Sequence, residues 1–151
     1  MIYLGSDHNG FELKQQIMKA LDELDISYED VGNKLLDKKD DYPKYGYPVA
    51  KKVADDKSGK SFGILICGSS FGVCIVANKV KGIRAVSVHD VQEARMARND
   101  DDANVLCLSG WKIKAPKAKK VIGTFLSTKF SSAKRHHRRV AEIKAIERKC
   151  K

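Results

Sequence analysis

The chain has 151 residues, 42% of them hydrophobic, and a formal net charge of +10 at pH 7. This size and composition predict a single domain over residues 1–151 that builds its core without disulfides or a structural metal. No apolar stretch reaches the ~20 residues of a membrane-spanning helix, and the N-terminus lacks a signal-peptide pattern. We therefore predict a cytoplasmic protein that does not enter a membrane and keeps its cysteines as free thiols.

Positive charge is concentrated in residues 112–151, which contain 14 Lys or Arg against Glu142 and Glu147. A basic tail of this kind can bind nucleic acid. Here aromatic residues are not interleaved with the basic ones, and much of the segment has the pattern of an amphipathic helix. We interpret most of these charges as a solvated surface and do not expect nucleic acid as a partner. Retention on heparin with a steep salt dependence would indicate the opposite.

Hydrophobic patterning predicts strands that alternate with helices along the chain. The predicted strands cover residues 2–5, 26–31, 62–66, 83–88 and 104–108. The first predicted helix has one apolar face, formed by Leu13, Ile17, Leu21 and Leu24. Further helices are predicted over residues 48–56, 73–79, 91–98 and 116 to about 130. This alternation predicts an α/β protein, a three-layer α/β/α Rossmann-like fold with a five-stranded parallel sheet.

A last helix carries an apolar stripe and is predicted to end near Cys150. The stripe consists of Val140, Ile143 and Ile146. No later segment of the chain is available to cover it. We therefore predict that this C-terminal helix packs at a dimer interface.

Ligands of such sheets bind beyond the carboxyl ends of the strands, where the strand order reverses. Asp7 and His8 follow the first predicted strand, and Cys67 closes the third. A glycine-rich loop, residues 68–72, follows Cys67 and precedes a helix, so its backbone N–H groups can converge on an oxyanion or a phosphate. A thiol there is a candidate base, because such surroundings lower the usual thiol pKa of ~8.5. The alternative is a small buried cysteine that ends a core strand.

Several segments, in this order and at these separations, resemble the B-type ribose-5-phosphate isomerase family, which includes the galactose-6-phosphate isomerase subunits. They are residues 1–14, 41–43, 67–79, 82–86 and 103–106. The resemblance extends to about Arg148. It implies a cofactor-free enzyme that acts on a sugar phosphate. It also implies a homodimer or tetramer with sites between subunits. We expect no metal site, because the adjacent His136 and His137 point apart in a helix and no carboxylate or thiol lies at ligand spacing.

The resemblance also implies roles for individual residues. Cys67 is the expected isomerising base, and the hydroxyl of Ser69 assists it. Backbone groups of the loop bind the enediolate, and they belong to Gly68, Ser70, Phe71 and Gly72. Further substrate contacts are expected from Asp7 and Tyr42 to the sugar, from His8 to the sugar or phosphate, and from Arg135 and Arg139 to the phosphate. Without the resemblance, Asp7 reads as a helix cap, Tyr42 as a locally packed ring and the arginines as solvated charges.

Two positions depart from the family pattern. Asp100 and Asp101 stand where the family usually has His-Asn, and that histidine opens the sugar ring. We therefore expect Asp100 as a catalytic acid of reduced strength and Asp101 as a substrate contact. An unperturbed Asp has a pKa of ~3.9, and neighbouring carboxylates raise it. Trp111 replaces a common arginine, for which Lys112 can substitute.

Together these features predict an aldose–ketose isomerase that converts ribose 5-phosphate to ribulose 5-phosphate through an enediolate, in the pentose phosphate pathway. An isomerase of allose or galactose 6-phosphate is an alternative. A second alternative is a non-catalytic, regulatory subunit that binds a sugar phosphate. Cys67 and Ser69 favour an enzyme, whereas Asp100 and Asp101 favour the regulatory subunit.

Overall fold

The computed structural model describes residues 1–149 and contains one parallel sheet of five strands. The strands are β1 (Ile2–Ser6), β2 (Tyr28–Asp30), β3 (Phe62–Cys67), β4 (Ala85–Ser87) and β5 (Val105–Ser109). The helices are α1 (Phe11–Glu23), α2 (Pro43–Asp55), α3 (Phe71–Ala77), α4 (Val91–Asp101), α5 (Ala115–Ser127) and α6 (Lys134–Lys149). No helix within residues 1–149 is both long and apolar enough to span a membrane. The predicted end of the last helix at Cys150, and that thiol, lie outside the described residues.

Each face of the sheet is covered by a separate core cluster, so the predicted three-layer α/β/α fold is confirmed. Alternate residues of β3 point to opposite faces, as the period of two in a strand requires. Ile64 and Ile66 join the cluster beneath α1, α4 and α5, whereas Leu65 and Cys67 join the cluster beneath α2 and α3. All four are at most 3% exposed, which is typical of a parallel strand covered on both faces.

The two edge strands are shorter than predicted. β2 and β4 have three residues each, because each pairs with only one neighbour, β1 and β5 respectively. The first helix ends at Glu23, and Leu24 is 69% exposed, so its predicted place on the buried face is wrong. The helix predicted to end near residue 130 ends at Ser127, because Thr128 has an extended backbone conformation.

Two helices are longer than predicted. α2 begins at Pro43 rather than at Pro48, which lies inside the helix. Proline suits the first helical position, so Pro43 starts the helix well. Pro48 has no N–H and therefore leaves the carbonyl of Lys44 without its helical hydrogen bond. α4 extends to Asp101, three residues beyond its predicted end.

The strand order β2-β1-β3-β5-β4 places the first reversal of the sheet between β1 and β3. Ser6 at the end of β1 pairs with Ile66 of β3, and the Asp7 N–H donates to the Ile66 carbonyl at 3.2 Å. The chain segments after the two strands are therefore neighbours. This confirms the prediction that Asp7, His8 and Cys67 lie at one edge of the sheet.

A buried ion pair ties α1 to the loop after β2. Lys14 is fully buried, and its Nζ donates to both carboxylate oxygens of Asp30, at 2.8 and 2.9 Å, and to the carbonyl of Asn33 at 2.5 Å. Burial lowers the pKa of Lys14. Burial also opposes ionisation of Asp30, but the Lys14 ammonium and the Gly32 N–H outweigh it, so the pKa of Asp30 is lowered. The three acceptors around the Lys14 Nζ match the three hydrogens of an ammonium group, so the geometry is that of an ion pair.

Replacing Lys14 with methionine should strongly destabilise the fold, because Asp30 would lose its buried partner and keep only the exposed Lys34 ammonium at 3.3 Å. A broken buried ion pair typically costs about 3–5 kcal/mol of the free energy of unfolding. Urea unfolding followed by circular dichroism measures this loss. The exposed Lys51–Asp55 pair provides the control, since Lys51→Met should leave the midpoint unchanged. Equal midpoints for Lys14→Met and the parent chain would contradict the assignment.

Candidate active site

A cleft of about 360 Å³ lies at the carboxyl edge of the sheet, over the ends of β1 and β3. It combines the segment after β1, the loop before α2, the loop after β3 and the segment after β5. Its walls are formed by Asp7, His8, Asn9, Asp40, Asp41, Tyr42, Cys67, Gly68, Ser69, Gly72 and Trp111. Seven of the predicted site residues therefore meet in one cleft: Asp7, His8, Tyr42, Cys67, Gly68, Ser69 and Gly72.

Cys67 is 3% exposed and ends β3. Its carbonyl accepts from the N–H of Gly110 at 2.9 Å, and the Gly68 carbonyl accepts from the Ser109 hydroxyl at 2.6 Å. The carbonyls at the start of the loop are thus fixed against the segment after β5. Within residues 1–149, the N–H groups of Gly68, Ser69 and Ser70 donate to no protein acceptor. Gly68 and Ser69 also line the cleft directly after the thiol, so their N–H groups are suitable donors for an anionic oxygen.

Ser70 gives the loop its turn. Its φ is 75°, in the left-handed region that few non-glycine residues adopt, and its side chain is buried. The Ser70 hydroxyl bonds with the hydroxyl of Ser87 at 2.5 Å, so it points away from the cleft. Phe71 is 53% exposed and does not line the cleft either. Any contribution of Ser70 or Phe71 to substrate binding therefore comes from the backbone and stays a prediction.

Asp7 organises the turn that leads into α1. Its Oδ1 accepts from the N–H groups of Asn9 at 2.9 Å and Gly10 at 3.0 Å. Gly10 is required, because a Cβ at this position would lie 2.5 Å from the Ile66 carbonyl oxygen. Burial raises the pKa of Asp7, although the two N–H donors partly offset this. Asp7 thus holds the turn that precedes α1 without capping the helix itself, and it also lines the cleft.

His8 is held by Asp40, a residue that the sequence analysis did not single out. Asp40 Oδ1 accepts from the His8 N–H at 3.0 Å and bonds with the His8 Nδ1 at 2.7 Å. This hydrogen bond raises the pKa of His8 above its usual value, although burial opposes it. Asp40 Oδ2 accepts from the side chain of Asn33, at 3.2 Å, and the Asn33 Oδ1 accepts from the Ser6 hydroxyl at 3.1 Å.

Two aromatic rings flank the loop after Cys67. A Cβ on Gly72 would lie 2.8 Å from the ring of Tyr42, and one on Gly68 would overlap the indole of Trp111. Both rings therefore rest directly on glycine backbone, and both remain accessible, at 41% for Tyr42 and 66% for Trp111. The sequence indicated Trp111 only as a departure from a family pattern. The structure places it in the wall of the cleft.

The remaining predicted site residues do not reach the cleft of their own chain. Asp100 lies in the last turn of α4, 3.5 Å from the Nδ1 of the buried His136, and Asp101 is exposed beside it. Arg135 and Arg139 are exposed one turn apart on α6. The cleft walls, as far as residues 1–149 form them, hold three carboxylates and no lysine or arginine. One chain alone therefore offers no strong cation to a phosphate.

Comparison with known proteins gives consistent matches over nearly the whole chain. A model of the family described as Ribose/Galactose Isomerase matches residues 2–143. The probable ribose-5-phosphate isomerase B of Mycoplasma pneumoniae is 44% identical over 97% of this chain and 95% of its own length. Ribose-5-phosphate isomerase B of Mycobacterium tuberculosis is 35% identical over 97% of this chain and 90% of its own length.

Solved structures agree with the sequence matches. The fold is similar to ribose-5-phosphate isomerase B of Mycoplasma genitalium with bound ribulose-5-phosphate, with a TM-score of 0.92, 41% identity and coverage of 97% of this chain and 95% of that one. The enzyme of Clostridium thermocellum gives a TM-score of 0.91 at 38% identity and covers 99% of both chains.

Proposed function

Because this chain belongs to the Ribose/Galactose Isomerase family, we propose that it interconverts ribose 5-phosphate and ribulose 5-phosphate. The observation that carries the proposal is the Cys67 thiol at the wall of a cleft, beside three free backbone N–H groups. The reaction rearranges one sugar phosphate and needs no cofactor. We assign it to the pentose phosphate pathway and to the cytoplasm.

The chemistry requires a base and a stabiliser of negative charge. The Cys67 sulfur removes the proton from the carbon next to the carbonyl, and the electron pair moves onto the carbonyl oxygen to give an enediolate. The N–H groups of Gly68, Ser69 and Ser70 stabilise that oxygen. The thiol then returns its proton to the former carbonyl carbon, while the hydroxyl proton on the neighbouring carbon passes to the enediolate oxygen, so that the carbonyl now lies on the neighbouring carbon. Ser69, whose Oγ accepts from the Phe71 N–H at 3.3 Å, has its own hydroxyl proton available for a hydrogen bond to the sulfur or the substrate.

The phosphate must be bound by groups from outside the cleft of one chain. A phosphate dianion placed among Asp7, Asp40 and Asp41 would be repelled unless cations compensate it. Arg135 and Arg139 are free on the surface of α6, and Ile143 and Ile146 on the same helix are 46% and 62% exposed. We propose that α6 packs on a second copy and brings both arginines, with Asp100 and Asp101, to the partner's cleft.

Two alternatives for the substrate and activity can be separated in one experiment. Proton NMR in deuterated water detects exchange at the carbon next to the carbonyl for ribose 5-phosphate, allose 6-phosphate and galactose 6-phosphate in parallel. We expect the fastest exchange with ribose 5-phosphate. Faster exchange with a hexose phosphate would identify that hexose phosphate as the preferred substrate. Binding without exchange would indicate a regulatory subunit.

Replacing Cys67 with alanine should lower kcat for ribose 5-phosphate by at least ~100-fold, because the reaction loses its general base. The circular dichroism spectrum should not change. Cys74→Ala is the matched control, since Cys74 lies outside the cleft and its thiol donates to the Ala85 carbonyl. Near-normal turnover by Cys67→Ala would remove the thiol from the mechanism.

Shared sites predict rescue between two variants that are each impaired. Arg139→Ala should cost roughly 1.5–3 kcal/mol in kcat/KM for the loss of a charge-assisted contact. Co-expressed with Cys67→Ala, it should recover about one quarter of the parent activity, because half of the dimers are mixed and each has one intact site. Cys67→Ala with Asp7→Asn should give no rescue, since both changes affect the same cleft. Equal results for the two mixtures would contradict shared sites.

Asp100 is proposed to open the sugar ring, less effectively than an imidazole. Asp100→Ala should slow the reaction of cyclic ribose 5-phosphate but should little affect proton exchange in ribulose 5-phosphate, which has no ring to open. Asp100→His should match or exceed the parent near neutral pH, because imidazole titrates there. Equal rates of the parent and Asp100→Ala on ribose 5-phosphate would exclude Asp100 from the reaction.

A further inference from the structure

A line of hydrogen bonds connects the only tryptophan of the chain to His8 in the cleft. The indole Nε1 of Trp111 donates to Asn9 Oδ1 at 3.3 Å. The amide nitrogen of Asn9 lies 2.8 Å from the His8 Nε2, and the His8 Nδ1 lies 2.7 Å from Asp40 Oδ1. Trp111 and Asn9 are 102 residues apart in sequence, so the connection depends on the tertiary fold.

The donors and acceptors in this line leave one consistent arrangement. An indole N–H can only donate, so the Asn9 atom facing Trp111 must be the oxygen. The amide nitrogen then faces His8 and donates, which requires a lone pair on the His8 Nε2. The Nδ1 must carry the proton and donate to Asp40. Trp111 thus selects the neutral Nδ1–H form of His8 through Asn9.

We propose that Trp111 is a positioning residue that, through Asn9, sets the orientation and protonation of His8 for the reaction of the sugar phosphate. This proposal rests on the proposed function only for its link to catalysis. The indole lies on the Gly68 backbone, so the same side chain contacts the loop that follows Cys67. Trp111 therefore connects the two halves of the cleft, the His8 side and the thiol side.

Protonation of His8 is incompatible with the hydrogen bonds that connect it through Asn9 to Trp111. With hydrogens on both ring nitrogens, the His8 Nε2 needs an acceptor, so the Asn9 amide must turn its oxygen towards His8. Its NH₂ group then faces the indole N–H, and Trp111 loses its partner. The groups around His8 are the carboxylates of Asp7, Asp37, Asp40 and Asp41, the phenols of Tyr42 and Tyr45, and the Cys67 thiol. The carboxylates favour the imidazolium, and the Trp111–Asn9 pair opposes it.

Trp111→Phe tests the proposal, because it keeps an aromatic side chain beside Gly68 and removes the indole N–H together with one of the two fused rings. NMR titration of the His8 ring should give a pKa about half to one unit higher than in the parent, as expected for the loss of one hydrogen bond to the neutral form. An unchanged His8 pKa would overturn the proposal. This measurement does not depend on enzymatic activity, so its outcome is separate from that of the proposed isomerase reaction.

Fluorescence provides a second test in the parent chain, since all tryptophan emission comes from Trp111. The emission should titrate with the His8 pKa measured by NMR. His8→Asn and Asn9→Ala should each abolish this transition. His89→Asn should preserve it, because His89 lies outside the cleft walls and pairs with Glu93. A transition that survives Asn9→Ala would overturn the proposed connection even if Trp111→Phe fails to fold.

Kinetics test the link to the reaction. The pH dependence of kcat/KM for ribose 5-phosphate should move in Trp111→Phe by the same amount and in the same direction as the His8 pKa. A profile that stays in place while the NMR pKa moves would overturn the role of Trp111 in positioning His8 for catalysis. A residue that only stabilised the fold would lower the rate without moving the profile.

Discussion

The buried ammonium of Lys14 is the interaction on which the geometry of the cleft depends. Its three hydrogen bonds go to Asp30 and to the carbonyl of Asn33, at the beginning of an irregular segment that reaches to Asp40. That segment has no regular hydrogen-bonded structure of its own and is largely exposed. An ion pair between buried partners fixes it where apolar packing does not, since the cost of leaving either charge unpaired is high.

Asn33 connects Lys14 to the residues of the cleft. The Asn33 carbonyl accepts from Lys14, and its side-chain amide binds Ser6 on one side and Asp40 on the other. Asp40 in turn orients His8. The Lys14 ammonium on α1 is therefore connected through Asn33 and Asp40 to the His8 imidazole in the cleft. These hydrogen bonds determine the orientation of that ring. Such a supported side chain loses little conformational entropy when a ligand binds.

The sequence predicted the central strands and the site residues attached to them, because fully buried strands leave long apolar runs and because parallel strands end at one edge. It did not predict Asn9, Asp40 or Trp111 as parts of the cleft wall. Their hydrogen-bond partners lie between one and 102 residues away in the sequence. An irregular loop or a single aromatic residue also has no repeating hydrophobic pattern from which its contacts could be predicted. The start of α2 was missed for a related reason, since Pro43 and Pro48 both resemble a first helical residue.

Acidic and basic residues are concentrated in different parts of the chain, and this distribution is compatible with a symmetric dimer. The cleft walls hold three carboxylates, whereas residues 112–151 hold 14 Lys or Arg against two Glu, and they include the exposed face of α6. In a two-fold symmetric dimer, the basic surface of α6 from each copy can face the acidic cleft of the other copy. Opposite charges then meet at two equivalent places. The same contact would cover Ile143 and Ile146. In such a pair Arg135 and Arg139, which we propose to bind the phosphate, would also offset the carboxylates around His8, so substrate binding and assembly would use the same charges.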